Sequence, residues 1–168
     1  MCIRDSIGAC RSLWENQPAT FRSDSVSFDG LFQMPQPVQP RIPIFLGVKA
    51  NERNAALVAE LCDGWETGPD DSKSLDKLRE GSRIYREAFA RAGRDPAQLR
   101  VRANLPLCMT ADGAWFDMER MFAHVEPMRA AGVTEFSVFV LGRLEGMYDS
   151  MAAIERYIGE LAEHAAKY

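Results

Sequence analysis

A short polar turn follows an apolar run in residues 42–54, which read IPIFLGVKANERN, and its residue types suit the binding of an anion. The apolar run ends at Gly47, and Asn51 is placed to act as the N-cap of the next helix. The first backbone N–H groups of a helix have no partner within it, and the positive end of the helix dipole attracts negative charge. We therefore predict a phosphate-binding site in residues 47–51, the 47–51 turn. The same pattern also fits an ordinary strand–helix turn closed by a capping asparagine.

A second anion contact is offered by Arg143, which follows the last predicted strand in the segment LGRLEG. Barrel enzymes often bind phosphate after their last two strands, so Arg143 competes with the 47–51 turn for that role. A charged substrate is the more plausible ligand for this side chain, and a solvated surface arginine is the simpler interpretation.

The other reactive residues form no recognisable catalytic set. The sequence has no nucleophile–base pair, no paired carboxylates and no Ser-His-Asp order. Its only histidines, His124 and His164, argue against a histidine metal site, and its four cysteines lack metal-ligand spacing. We predict no catalytic residue and no metal ligand in this chain. The cysteines are expected to be buried thiols in a reducing cytoplasm.

The overall composition argues against several classes of partner. Of the 168 residues, 46% are hydrophobic and 26% are charged, as in an ordinary globular protein. The net charge of -4 argues against nucleic-acid binding, which normally needs a basic surface. No apolar stretch approaches the roughly 20 residues that span a bilayer. We expect a small-molecule substrate, with no nucleic-acid or membrane partner.

From residue 42 onward, apolar strands and amphipathic helices alternate four times, which predicts an α/β fold. The predicted strands are 42–48, 62–68, 99–109 and 134–142, and the predicted helices are 52–61, 72–92, 116–131 and a last helix marked by Met147 to Ala165. Such alternation implies parallel strands with right-handed crossovers. Four units form an open sheet or an arc of a (β/α)8 barrel, whose complete form needs about 250 residues. We predict that residues 42–168 are a half-barrel of four βα units, the second half of such a barrel.

The residues before 42 predict three smaller features. Residues 1–6, MCIRDS, match the translation of a transposon end used in sequencing libraries, and we expect them to be an artefact of library preparation. Residues 7–41 are interpreted as a helix tail, a hairpin that turns at Asp29 and Gly30, and an extended proline-rich segment.

A few further residues are interpreted as structural. Asp63 is expected to end a helix, and Trp65 is expected to pack in the core. Strand 42–48 is apolar at successive positions, so both of its faces are expected to be covered. Pro127 lies inside a predicted helix and is expected to kink it.

Several segments together resemble a known enzyme family. They read, in order, LWENQPATFRSDSVSFDGLF, PQPVQPRIPIFLGV, AELCDGWETG and AGRDP. In that order they resemble the second half of the bacterial luciferase-like monooxygenases, which are flavin- or deazaflavin-dependent oxidoreductases built on a (β/α)8 barrel. The resemblance covers residues 12–110 well and the remainder loosely. It implies that the four predicted strands are the fifth to eighth of the barrel.

The resemblance also implies a set of cofactor contacts. In the family, the loop that corresponds to the 47–51 turn gives main-chain amides to the cofactor phosphate, which implies contacts from Gly47, Val48, Lys49, Ala50 and Asn51. Lys49 could add positive charge. Val48 stands where the family commonly has a second glycine, so the shape of the turn is left open.

The loop after the next strand reaches the same phosphate in the family. This implies that the hydroxyl of Thr67 and the amide of Gly68 are cofactor contacts, with a plain solubilising turn as the alternative.

The function implied by the resemblance is that of an oxidoreductase or monooxygenase dependent on FMN or on the deazaflavin coenzyme F420. The coenzyme would supply the hydride or oxygen chemistry. The chain by itself is expected to be an inactive C-terminal fragment, because most contacts to the cofactor ring and the substrate would come from strands before residue 7. The full-length protein could form a homodimer. The alternatives are a non-catalytic half-barrel that binds a partner chain and an unrelated α/β domain that binds a phosphorylated metabolite.

Overall fold

The computed structural model describes residues 2–138 and 150–168 of the chain. Its helices and strands are, in chain order, α1 Ile3–Glu15, β1 Ala19–Arg22, β2 Ser27–Leu31, β3 Phe45–Gly47, α2 Glu52–Leu61, β4 Gly64–Glu66, α3 Pro69–Ser72, α4 Leu75–Arg91, β5 Arg100–Asn104, α5 Met118–Phe122, α6 Val125–Ala130, β6 Glu135–Ser137 and α7 Met151–Ala165.

The predicted α/β class and its parallel sheet are confirmed. Strands β3, β4, β5 and β6 form one parallel sheet in that order, with Arg102 opposite Glu135 and Asn104 opposite Ser137 in the last pair. Each strand is shorter than predicted, at three to five residues. Sequential neighbours joined by helices are compatible with part of a barrel.

By its internal contacts the chain divides into two compact units. The first holds the described residues up to Leu46 together with Ala50–Trp65 and Ile84–Leu99, and the second holds Gly47–Lys49, Glu66–Arg83 and the described residues from Arg100 onward. Each unit has its own apolar core. The largest buried side chains of the described residues are Val58, Cys62, Trp65, Tyr85, Phe89 and Leu99 in the first unit and Leu78, Val101, Met121, Met128 and Tyr157 in the second.

The N-terminal hairpin exists, but its predicted turn is wrong. Strands β1 and β2 pair antiparallel, and the turn between them is closed where the N–H of Ser23 donates to the carbonyl of Val26 at 2.9 Å. Asp29 and Gly30 lie inside β2, where the register shifts and Gly30 has a φ of 63°. The glycine therefore serves a β-bulge instead of a hairpin turn, because a glycine at positive φ suits either feature.

Helix α2 has the predicted bounds, and the following helix does not. The predicted helix 72–92 is replaced by the short α3 and by α4, which starts at Leu75. Leu75, the first residue of α4, is 41% exposed. Gly93 ends α4 with a φ of 72°, as expected for a residue just past a helix C-terminus.

The predicted helix 116–131 is interrupted one turn before Pro127. Helix α5 ends at Phe122, and α6 begins at Val125. A proline cannot donate to the carbonyl four residues earlier, which is that of Ala123, and its ring crowds that carbonyl. The break therefore falls where the proline removes a hydrogen bond.

The outer strands also differ from expectation. Phe45 and Leu46 are only half-buried and Gly47 is exposed, so the predicted covering of both faces of this strand is wrong. Strand β6 ends at Ser137, and residues 139–142 of predicted strand 134–142, Arg143 and Met147 lie outside the described residues. Among the described helices, none is both long and apolar enough to cross a bilayer.

Candidate functional site

The 47–51 turn connects the end of β3 to the N-terminus of α2. Asn51 is the N-cap of α2: its backbone is extended, and its Oδ1 accepts a hydrogen bond from the N–H of Asn54 at 2.9 Å. The carbonyl of Asn51 accepts the first helical bond, from Ala55. The predicted cap is confirmed, and it commits the side-chain oxygen of Asn51 to the helix. Within this side chain, the Nδ2 group is the donor left for an anion.

The backbone N–H groups around the start of α2 are open. Within the described part of the chain, those of Ala50, Asn51, Glu52 and Arg53 donate to no acceptor. Asn51, Glu52 and Arg53 are exposed, so a ligand can reach them. Four successive free donors at the positive end of a ten-residue helix form a concentrated site for negative charge.

The 47–51 turn requires no glycine conformation at its second residue. No described residue other than glycine has positive φ, so Val48 fits the turn without strain. Gly47 also has ordinary φ, and a Cβ added there would meet Glu66 Cβ at 3.9 Å, an ordinary contact. The absent second glycine therefore leaves the backbone path intact.

Thr67 follows β4, and both of its donors have partners inside the protein. Its N–H donates to the carbonyl of Arg102 at 2.9 Å. Its buried hydroxyl lies 2.7 Å from that of Ser72, which in turn donates to the carbonyl of Gly68 at 3.0 Å. Since the proton of Ser72 is used, Thr67 is the donor in that pair. These bonds favour a structural role for Thr67, and its contact with a phosphate stays a prediction.

Gly68 is the N-cap of α3 and keeps an open N–H. Its carbonyl accepts from the N–H groups of Asp71 and Ser72, whereas its own N–H has no acceptor among the described residues. A Cβ added at Gly68 would lie 3.5 Å from Oδ2 of Asp71. The nearby carboxylate weakens the attraction for an anion at this end of β4, and the contact of Gly68 with a phosphate stays a prediction.

One face of the sheet carries a row of charges that the sequence interpretation missed. Glu135 on β6 accepts hydrogen bonds from Arg100 and from both Nε and Nη2 of Arg102 on β5. Arg102 Nη1 lies 3.6 Å from Glu66 on β4. The signal was the alternation in Arg100–Asn104, RVRAN, whose two apolar residues are buried and whose polar residues are half-buried.

The pKa values of the two glutamates in this row, Glu66 and Glu135, are shifted in opposite directions. Burial raises the pKa of Glu66, and nearby Glu135 raises it further against the opposing effect of Arg102. Burial would also raise the pKa of Glu135, but the hydrogen bonds from Arg102 and Arg100 outweigh it and hold that pKa below its usual value. Beside them, the hydroxyl of Ser137 donates to Oδ1 of Asn104 at 2.7 Å.

A separate cluster holds the start of β4 in the first unit. Asp63 accepts from the backbone N–H of Ile44 at 2.9 Å and from Nη2 of Arg11 at 2.6 Å, and Arg41 approaches it at 3.2 Å. Arg94 lies 3.9 Å away and donates to the carbonyls of Ala59, in α2, and of Cys62, just after it. The structural interpretation of Asp63 is supported, although it joins segments and does not simply end a helix.

The described chain has clear relatives. The sequence model of the luciferase-like monooxygenase family matches residues 2–164. An uncharacterized protein of Mycobacterium tuberculosis is 34% identical over 93 residues, which cover 55% of this chain and 32% of that protein. The chain thus spans about a third of the length of this curated relative.

Two solved structures share the fold. A coenzyme F420-dependent tetrahydromethanopterin reductase from Methanopyrus kandleri is 14% identical with a TM-score of 0.68, over 96% of this chain and 62% of that one. An F420-dependent secondary alcohol dehydrogenase in complex with an F420-acetone adduct is 17% identical with a TM-score of 0.64, over 79% of this chain and 53% of that one. At such identities the likeness establishes the fold alone.

Proposed function

The chain belongs to the luciferase-like monooxygenase family, and from this premise we propose that it forms the C-terminal part of an oxidoreductase that binds FMN or coenzyme F420. The proposed role of the chain is to hold the phosphate of the coenzyme in the 47–51 turn. The complete gene product that contains this chain is called the parent protein below. We propose that the chain alone is inactive, and the cytoplasmic location stays a prediction.

The observation that carries the proposal is the set of open N–H groups at residues 50–53. Helix N-termini bind phosphate because free donors and the helix dipole act on the same side. The end of β3 precedes this turn directly, and enzymes with parallel barrels build their sites at the carboxyl ends of strands. The bound coenzyme would supply the hydride or oxygen chemistry, and the residues of this chain would fix its position.

The choice between the two coenzymes rests on analogy. Both solved relatives named above use coenzyme F420, whereas the family name points to a monooxygenase. FMN and coenzyme F420 both carry a phosphate on a ribityl chain, so the 47–51 turn suits either. Arg143 stays a prediction as a substrate contact.

A titration of the parent protein tests this function. We expect micromolar or tighter binding of FMN or of coenzyme F420, measured by flavin or deazaflavin fluorescence. Removal of the phosphate, as in riboflavin, should weaken binding at least tenfold, because a hydrogen bond to a charged group contributes about 1.5–3 kcal/mol. Binding of neither coenzyme would favour the alternative of a non-catalytic family member that binds a partner chain.

A substitution in α2 tests the phosphate site itself. Glu52→Pro removes one open N–H at the first helical position, where proline is tolerated and the extended Asn51 is compatible with it. We expect about tenfold weaker coenzyme binding. Glu52→Ala is the matched control, because it removes the same carboxylate and its contact with Arg91 but keeps the N–H. Equal affinities of the two variants would exclude the N–H of residue 52 as a phosphate donor.

A further inference from the structure

Asn104 and Ser137 end two neighbouring strands of the parallel sheet, and their side chains are paired. They are the last residues of β5 and β6 and lie opposite each other in the register. The backbone pairing continues past them, where the N–H of Leu105 donates to the carbonyl of Ser137 at 2.9 Å. Both residues belong to the second compact unit. Enzymes with parallel barrels build their sites at the carboxyl ends of strands, so this pair is placed where a substrate contact is expected.

The side-chain amide of Asn104 keeps unused hydrogen-bond donors. Its Oδ1 accepts from the hydroxyl of Ser137 at 2.7 Å, whereas its Nδ2 group donates to no acceptor within the described part of the chain. The hydrogen bond fixes the orientation of the amide, with Oδ1 toward Ser137 and Nδ2 on the other side. Asn104 is half-buried, so its N–H bonds are partly shielded from water and still reachable. A partly desolvated donor is costly unless a ligand supplies the acceptor.

The row of charges on the same sheet face favours a neutral ligand. Arg102 lies two positions before Asn104, so the two side chains share a face of β5. Its guanidinium donates to Glu135 and lies 3.6 Å from Glu66, and Arg100 also donates to Glu135. The two arginines and the two glutamates of the row carry no net charge. A carboxylate or phosphate would therefore find no excess positive charge beside Asn104, whereas an uncharged oxygen needs only the N–H donors.

We infer that Asn104 is a substrate-binding residue whose Nδ2 group donates a hydrogen bond to a carbonyl oxygen of a neutral substrate, and that Ser137 positions the amide. This inference rests on the proposed function, for which it names a class of substrate. A carbonyl oxygen accepts hydrogen bonds and has no proton to donate, so it matches the unused N–H bonds of Asn104. An analogue without that oxygen leaves these donors unpaired, which makes Asn104 a determinant of specificity.

Two probes of equal shape test the carbonyl contact in the parent protein. Cyclohexanone has the acceptor and methylenecyclohexane lacks it, and their dissociation constants are measured by ligand-observed NMR. Asn104→Asp keeps the shape of the side chain and an acceptor for Ser137 but removes both N–H bonds. It should weaken cyclohexanone about tenfold, as expected for a lost hydrogen bond, and methylenecyclohexane clearly less. Ser137→Ala keeps the N–H donors and frees the amide, so it should weaken cyclohexanone by a smaller factor.

Infrared difference spectra give a readout that a purely structural pair would not change. A hydrogen bond from Asn104 should lower the carbonyl stretching frequency of cyclohexanone in the wild-type protein, and Asn104→Asp should return it toward the free value. No lowered frequency in the wild type, or equal weakening of both probes by Asn104→Asp, would overturn the inference. Titration with FMN and coenzyme F420 in the same samples separates it from the proposed function. Unchanged coenzyme affinity of Asn104→Asp leaves that function standing, whereas a wild-type protein that binds neither coenzyme removes both.

Discussion

Replacement of Trp65 by alanine should lower the free energy of unfolding of the parent protein by about 4 kcal/mol, the range found when large aromatic residues are removed from a core. Trp65 is completely buried in the first unit and stacks on Tyr85 with ring centroids 4.8 Å apart. Its loss removes a large apolar surface, leaves a cavity and deletes the aromatic pair. The measurement is urea denaturation followed by circular dichroism.

The loss of Trp65 should also destabilise strand β4, which lies next to the candidate site. Trp65 directly precedes Glu66 in β4, and its side chain anchors the strand from the opposite face of the sheet. Trp14→Ala is the matched control. Trp14 is only half-buried in α1, so its replacement should lower the free energy of unfolding by clearly less. Equal losses for the two variants would mean that burial of Trp65 does not govern the stability of β4.

Replacement of Asp63 by asparagine should lower the free energy of unfolding by about 3 kcal/mol at neutral pH, because breaking a buried ion pair leaves an uncompensated charge. Arg11, its closest partner, is only 12% exposed, and its Nε already lacks a hydrogen-bond partner within the described residues. Asparagine keeps the size of the side chain, so the loss of stability measures the effect of removing the negative charge. Glu80→Gln, in an exposed pair with Arg83, is the control and should have no measurable effect.

The dependence on pH gives a second readout for Asp63. Burial would raise its pKa, but the hydrogen bond from Ile44 N–H and the contacts with Arg11 and Arg41 outweigh burial and hold the pKa below the usual value. Its stabilisation is therefore complete above the ordinary aspartate pKa of about 4 and is lost as the pH falls through the folded-state value. The difference between wild type and Asp63→Asn should narrow below about pH 4, and a constant difference down to pH 2 would contradict this account.

Local patterns of the sequence were sufficient for the elements next to the candidate site. The bounds of α2 and the cap at Asn51 followed from a polar residue before an amphipathic run, which is a short-range preference. The alternation of strands and helices gave the parallel α/β sheet, because strands separated by helices pair in that way. The order of four segments gave the family.

Structural features were predicted less well where the local sequence fits more than one structure. Asp29 and Gly30 suited either a hairpin turn or a bulge, and only the pairing of β1 with β2 selected the bulge. Pro127 indicated a helix defect, but the break appeared one turn earlier, at the carbonyl that lost its donor.

By itself the sequence determined the α/β class and the family, and it predicted the helix cap at Asn51 beside the proposed phosphate site. Only the tertiary structure decided which polar groups are already used. In the folded chain the hydroxyl of Thr67 is hydrogen-bonded to that of Ser72, and Arg102 donates to Glu135. Glu66 lies beside Gly47 and accepts no hydrogen bond from the described residues. The physical reason is that hydrogen-bond partners across a sheet come from strands far apart in the chain, so no local pattern specifies which donor and acceptor will meet.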